Sequence, residues 1–134
     1  MDGVMRKYAF EHLEVWRRSS RLVCDIYRLF NNCRDYGFKD QVTRSSLSIP
    51  SNIAEGEERA SAKESARFLY YSKGSAGELA TQLYIAIEIE LVDKDRGLTL
   101  IDETKQISAM LAALIKIRKG EVKESSVEYK IKGN

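Results

Sequence analysis

Apolar residues recur along this chain at steps of three and four in four separate blocks, each the mark of a helix with one buried face. The first block covers residues 10–33, where Leu13, Trp16, Val23, Tyr27 and Phe30 share a heptad stripe interrupted only by Ser20. Asp35-Tyr36-Gly37 reads as the turn that ends it. A second helix is expected from Lys39 or Asp40 to Gly56, with Val42, Ser46, Ile49 and Ile53 on a thin apolar stripe. Pro50 falls inside it, and its missing N–H and its ring clash with the carbonyl of Ser46 predict a kink or a fresh turn there. Ser61 and Glu64 have the spacing of a capping box that opens a third helix. That helix is expected to reach Leu91, with Phe68, Ser72, Ser75, Leu79, Leu83 and Ala86 on its stripe. Gly74 and Gly77 inside it each cost about 1 kcal/mol of helix propensity relative to Ala, which predicts close approach by a neighbouring helix. Residues 93–97 form a polar turn, and the fourth helix covers residues 99–119 with Leu100, Thr104, Ile107, Leu111 and Leu114 inward. Asp102 and Glu103 in its first turn, and Lys116, Arg118 and Lys119 in its last, complement the helix dipole before Gly120 stops it.

Four such helices with short connections predict an all-α fold, an antiparallel up-down-up-down four-helix bundle over residues 1–120. Residues 121–134 make a polar C-terminal tail in which only Val127, Tyr129 and Ile131 alternate, so it is either disordered or a short strand-like arm. A chain of 134 residues has room for one such core and little for a second. The net charge of +2 is too small to imply nucleic acid by itself, so any electrostatic partner must be argued from where the charges lie. Cys24 and Cys33 are too far apart along one expected helix to bridge, which makes them free thiols in a reducing, cytoplasmic setting. No apolar signal-peptide core opens the chain, and the weakly polar run 79–87 is too short to span a bilayer, so no membrane partner is expected.

Catalysis would need a nucleophile with its base, a carboxylate pair or a set of metal ligands. His12 is the only histidine, and it reads as a surface residue on the first turn of helix one. Glu88 and Glu90, two positions apart, point to different sides of a helix. No Glu-x-x-His motif, no phosphate loop and no cysteine–histidine cluster is present, so the expectation is a protein that is not an enzyme, without metal or cofactor. Two features remain. Ser45, Ser48, Asn52 and Glu55 line one face around Pro50, while Glu78 and Gln82 pair at four residues' spacing on helix three. These predict a polar network between helices two and three, with Arg44 neutralising a carboxylate, that sets register and subunit contact; the alternative is two ordinary exposed faces. The basic residues form two ladders: Arg17, Arg21 and Arg28 beside Arg18, and Arg59, Lys63 and Arg67. Ladders of this kind can grip phosphates, and an oligomer would multiply them; the alternative is a solvated face with Glu14, Asp25 and Glu64 nearby.

The opening string Phe10-Glu11-His12-Leu13-Glu14-Val15-Trp16, followed by Ile26-Tyr27-Arg28-Leu29, resembles the four-helix-bundle proteins labelled S23 ribosomal protein, which are encoded in intervening sequences of bacterial large-subunit ribosomal RNA genes. The most specific part is the run 48–56, Ser-Ile-Pro-Ser-Asn-Ile-Ala-Glu-Gly, followed by Arg59, Ser61, Lys63, Phe68-Leu69, Gly74-Ser75, Glu78-Leu79 and Gln82-Leu83. The resemblance covers about residues 8–117. It implies a ring-like homopentamer of four-helix bundles, and kinship with the accessory variability proteins of diversity-generating retroelements, which bind nucleic acid and a reverse transcriptase. The chain departs from the pattern at Thr43, where the family commonly has an arginine, and at Glu58, where it usually has a glycine. Residues 31–38 also lack a proline often found there. The expected function is therefore a non-catalytic homo-oligomeric bundle binding RNA or DNA through basic faces repeated around a ring; the alternative is an interaction scaffold for a protein partner.

Overall fold

The computed structural model describes residues 5–122. A one-turn 3-10 helix, Ala9–His12, leads into four α-helices: α1 (Glu14–Leu29), α2 (Tyr36–Glu57), α3 (Ala62–Glu88) and α4 (Lys94–Arg118). Each packs against its neighbours in sequence, and α1 also meets α4, which closes an antiparallel up-down-up-down bundle. The described residues contain no strand. Phe30, Leu22, Ile26, Ile49, Ile53, Leu69, Leu79, Leu83, Ile107, Leu111 and Leu114 are its largest fully buried side chains. No helix among the described residues is long and apolar enough to cross a membrane.

The first helix departs most from the sequence pattern. It does not run unbroken over residues 10–33: Leu13 is extended (φ −84°, ψ 123°) and separates the 3-10 turn from α1. That turn is held by the Glu11 carboxylate, which accepts from the Tyr8 N–H at 2.8 Å. Phe10 packs between Tyr8 and Trp16, with ring centroids 5.2 and 5.1 Å away. The buried face of α1 is Val15, Ser19, Leu22, Ile26 and Leu29, one position round from the expected stripe, and Tyr27 is exposed. Two adjacent stripes, each with one serine, compete here, and the one through Ser19 is buried. Ser19 is tolerated in the core because its hydroxyl donates to the Trp16 carbonyl at 3.1 Å.

Helix α2 begins at Tyr36, earlier than expected, because the Asp35 carboxylate caps it by accepting from the Phe38 N–H at 3.1 Å. Phe38 then packs on Phe30. No fresh turn starts at Pro50: the helix continues to Glu57, with Val42, Ser46, Ile49 and Ile53 buried as expected. Beside the proline, Ser72 of α3 donates to the Ile49 carbonyl at 2.8 Å, and Ser46 donates to the Thr43 carbonyl at 2.8 Å. Gly56, the expected last residue of the helix, is also a crossing point: a Cβ there would lie 3.0 Å from the Ser65 carbonyl oxygen and 3.2 Å from the Phe68 Cβ.

Ser61 caps α3, accepting from the Glu64 N–H at 3.1 Å, while the Glu64 carboxylate turns to Arg67 instead of back to the cap. The helix ends at Glu88, before the expected Leu91, by adopting a left-handed residue at Glu90 (φ 61°). The Leu91 N–H closes that turn on the Ala86 carbonyl at 2.8 Å. Asp93 then caps α4 through the Arg96 N–H at 2.9 Å, which draws Gly97 into the helix where a turn was expected. Gly97 lies under Ile87, whose side chain would stand 2.8 Å from any added Cβ. Gly120 (φ 75°) terminates α4 as the sequence predicts. Gly74 and Gly77 behave otherwise than expected. Both are exposed, and among the described residues a Cβ at either would meet nothing within 4 Å, so no described helix approaches them closely. Of the expected polar tail, residues 121–134, all but Glu121 and Val122 lie outside the described residues.

Candidate nucleic-acid interface

The antiparallel pairing of α3 with α4 sets the first turns of one beside the last turns of the other. Between them opens a cleft of about 730 Å³ lined by Lys63, Glu64, Ala66, Arg67, Tyr70, Arg118 and Lys119. Lys63 and Arg67 belong to a ladder legible in the sequence. Arg118 and Lys119 were read only as partners of the α4 dipole, since nothing local shows that they converge on α3. Tyr70, half-exposed, forms the aromatic wall. The Lys119 ammonium donates to its hydroxyl at 3.5 Å and lies 5.8 Å from its ring centroid. That hydrogen bond, then one to Glu121, raises the Lys119 pKa. Beside the cleft, the Arg59 and Arg67 guanidinium groups lie over the Phe68 ring at 4.4 and 5.5 Å. Carboxylates moderate the charge: Arg67 pairs with Glu64 at 3.1 Å, Arg118 with Glu57 at 2.7 Å and Arg59 with Glu55.

The ladder on α1 is divided. Arg18 faces α4, where its guanidinium bonds both oxygens of Glu103 (2.9 and 2.5 Å) and the Gln106 side-chain oxygen at 2.7 Å. The hydrogen bond to Glu103 raises its pKa against the opposing effect of burial. Arg18 is thus a clamp between α1 and α4 and is turned away from any ligand. Arg17 and Arg21 share the Glu14 carboxylate at 2.9 and 3.5 Å, and Arg28 pairs with Asp25 at 3.2 Å. Arg21 and Arg28 remain exposed, and Arg28 lines a recess with Tyr27, Asn31 and Lys39.

The polar residues around Pro50 meet α3 through serines. Ser45 donates to Glu78 at 2.6 Å, Ser48 and Ser75 share a hydrogen bond of 2.8 Å, and the Asn52 amide donates to the Ser48 hydroxyl at 2.9 Å. Arg44 and Glu55 stand outside this seam: Arg44 bonds Asp40 at 2.9 Å on its own helix, and Glu55 bonds Arg59. Each therefore pairs four residues away along the chain instead of joining the seam. The side-chain oxygen of Gln82 is buried without a hydrogen-bond partner. Ser75, placed by its spacing on the apolar stripe, is the member that sequence reasoning missed.

Among the described residues no group of three or more His, Cys, Asp or Glu side chains could hold a metal ion. His12 is exposed, and Cys24 and Cys33 are free thiols. No curated protein matches the chain. A solved structure of a protein of unknown function from the S23 ribosomal protein family of Bacteroides thetaiotaomicron VPI-5482 is similar in fold, with a TM-score of 0.73 and 24% identity. The likeness covers 76% of this chain and 98% of that one. The family model described as 23S rRNA-intervening sequence protein matches residues 11–113, which include three of the four helices whole and most of α4. The chain therefore belongs to the 23S rRNA-intervening sequence protein family.

Proposed function

We propose that this protein is a non-catalytic homo-oligomeric bundle that binds the phosphate backbone of RNA or DNA, with the cleft between α3 and α4 as its contact. The observation that carries this reading is the convergence of Lys63, Arg67, Arg118 and Lys119 from two helices around one half-exposed tyrosine. Backbone phosphates need clustered cations at fixed spacing, and an aromatic wall admits a base or sugar beside them. One protomer offers few such contacts, and a ring-like homopentamer of the kind the family resemblance implies would repeat them. Exposed Arg21 and Arg28 on α1 would add a second, weaker track.

Fluorescence anisotropy of structured RNA and duplex DNA tests this across a salt series. About four phosphate contacts predict that log K falls with log salt at a slope of about −3 to −4. Lys63→Glu with Lys119→Glu should abolish the signal while helicity and melting temperature stay unchanged. No binding at the lowest salt for either nucleic acid would sink the reading. It would favour a scaffold for a protein partner instead, for which the exposed Leu47, Tyr71, Ile85 and Ile89 supply apolar surface.

A further inference from the structure

The cleft between α3 and α4 offers flat groups as well as charge, and paired and unpaired nucleic acids would use them differently. Tyr70 is half-exposed, and Lys119 holds it through its hydroxyl at 3.5 Å and lies 5.8 Å from its ring centroid. Three residues earlier on the same helix, the Arg67 guanidinium lies 5.5 Å from the Phe68 ring centroid and bonds Glu64 at 3.1 Å. That spacing sets Arg67 and Tyr70 side by side on one face of α3. The cleft thus has two planar groups along one wall, each already held by a neighbour. Phe68 adds none of its own, because Arg59 and Arg67 lie over its ring and Tyr71 meets it edge-on at 5.4 Å. Deeper in, Ala66 is buried, and the Arg118 side chain is only 16% exposed and turned to Glu57. The exposed cations of the cleft are Lys63, Arg67 and Lys119.

We propose that this cleft selects unpaired strand: a base lies against Tyr70 and Arg67 while the phosphates on either side of it meet Lys63 and Lys119. The inference rests on the nucleic-acid reading above and specifies which part of a nucleic acid the site takes, a loop, a bulge or an end. Tyrosine rings and guanidinium planes stack on bases whose faces are bare. In a duplex each base face is covered by the next pair, and uncovering it costs unstacking. A duplex can therefore lay its backbone across the cations but gains nothing from Tyr70. The concave shape acts in the same direction, since a single strand can enter a space between two helices that a paired one can only bridge.

Fluorescence anisotropy at low salt, with labelled oligomers of about ten nucleotides, tests it. The probes are thymidine and uridine strands, the duplex of the thymidine strand with its complement, and an abasic strand with the same number of phosphates. Both unpaired strands should bind at least about tenfold tighter than the duplex or the abasic strand. Comparing uridine with thymidine separates RNA from DNA as the source of the strand. Tyr70→Ala should bring the unpaired strands down to the level of the abasic one, whose own affinity stays unchanged, while Tyr70→Phe keeps the difference. A duplex bound as tightly as the single strands, with Lys63→Glu and Lys119→Glu still abolishing binding, would leave the nucleic-acid reading standing and overturn this one. Unpaired strands no tighter than the abasic one, or indifferent to Tyr70→Ala, would overturn it in the same way. Failure of every oligomer to bind would remove both readings together.

Discussion

Two ladders of basic residues with the same helical spacing meet opposite fates in this bundle. On α1, the arginines are answered mostly from their own helix: Glu14 serves Arg17 and Arg21, and Asp25 serves Arg28. The exception, Arg18, is answered by Glu103 of α4 and so becomes part of the bundle's construction. On α3, Lys63 and Arg67 are joined by Arg118 and Lys119 from a helix that arrives from the other direction, and the four define a concave space. Spacing along one helix makes a charged row. Concavity, and with it a site, needs a second helix. The difference between the ladders is therefore one of tertiary neighbours, and charge counting along the sequence does not separate them.

The largest effect should come from reversing the cleft. Lys63→Glu, Arg67→Glu and Lys119→Glu together should lower nucleic-acid affinity by about 100-fold or more at low salt, measured by anisotropy. Arg17→Ala, Arg21→Ala and Arg28→Ala together should cost less than about threefold in the same assay, since Glu14 and Asp25 already offset much of their charge. A larger loss from the α1 set than from the α3 set would invert the comparison. The next effect is on stability. Arg18→Ala leaves the half-buried Glu103 without its partner and should cost about 1–3 kcal/mol in urea unfolding, with no specific effect on binding. The smallest effect is Arg28→Ala alone, which removes an exposed pair and should change stability by less than about 0.5 kcal/mol.

The number and order of the helices were legible because periodicity is a local property, and so were the caps that depend on one side chain, Ser61 and Gly120. The phase of α1 was not. The Trp16–Val23 and Ser19–Ile26 stripes each carry one serine, so periodicity alone does not choose the inward face; the buried one holds Ser19, with its hydroxyl on the Trp16 carbonyl. The start of α4 was missed because Gly97 reads as a turn residue, whereas its purpose is to pass beneath Ile87. Of the candidate site, the α3 half was visible as a ladder. The α4 half was not, because Lys63 and Lys119 are far apart in sequence and only the antiparallel packing unites them. The glycines of α3 were misleading: they read as a sign of close approach by a neighbouring helix, and no described residue comes within reach of either.

The Arg18 clamp has a further consequence, in the order in which the fold opens. Helix α1 shares narrower seams with α2 and α4 than those that join α2 to α3 and α3 to α4, and its N-terminus is set off by the extended Leu13. A helix so placed is the natural first unit to detach, with the remaining three holding together for longer. Native-state hydrogen exchange should then show α1 amides exchanging through a cheaper opening than those of α3. Because Arg18 fastens the first helix to the last, that one guanidinium sets how far the edge of the bundle lies from coming loose.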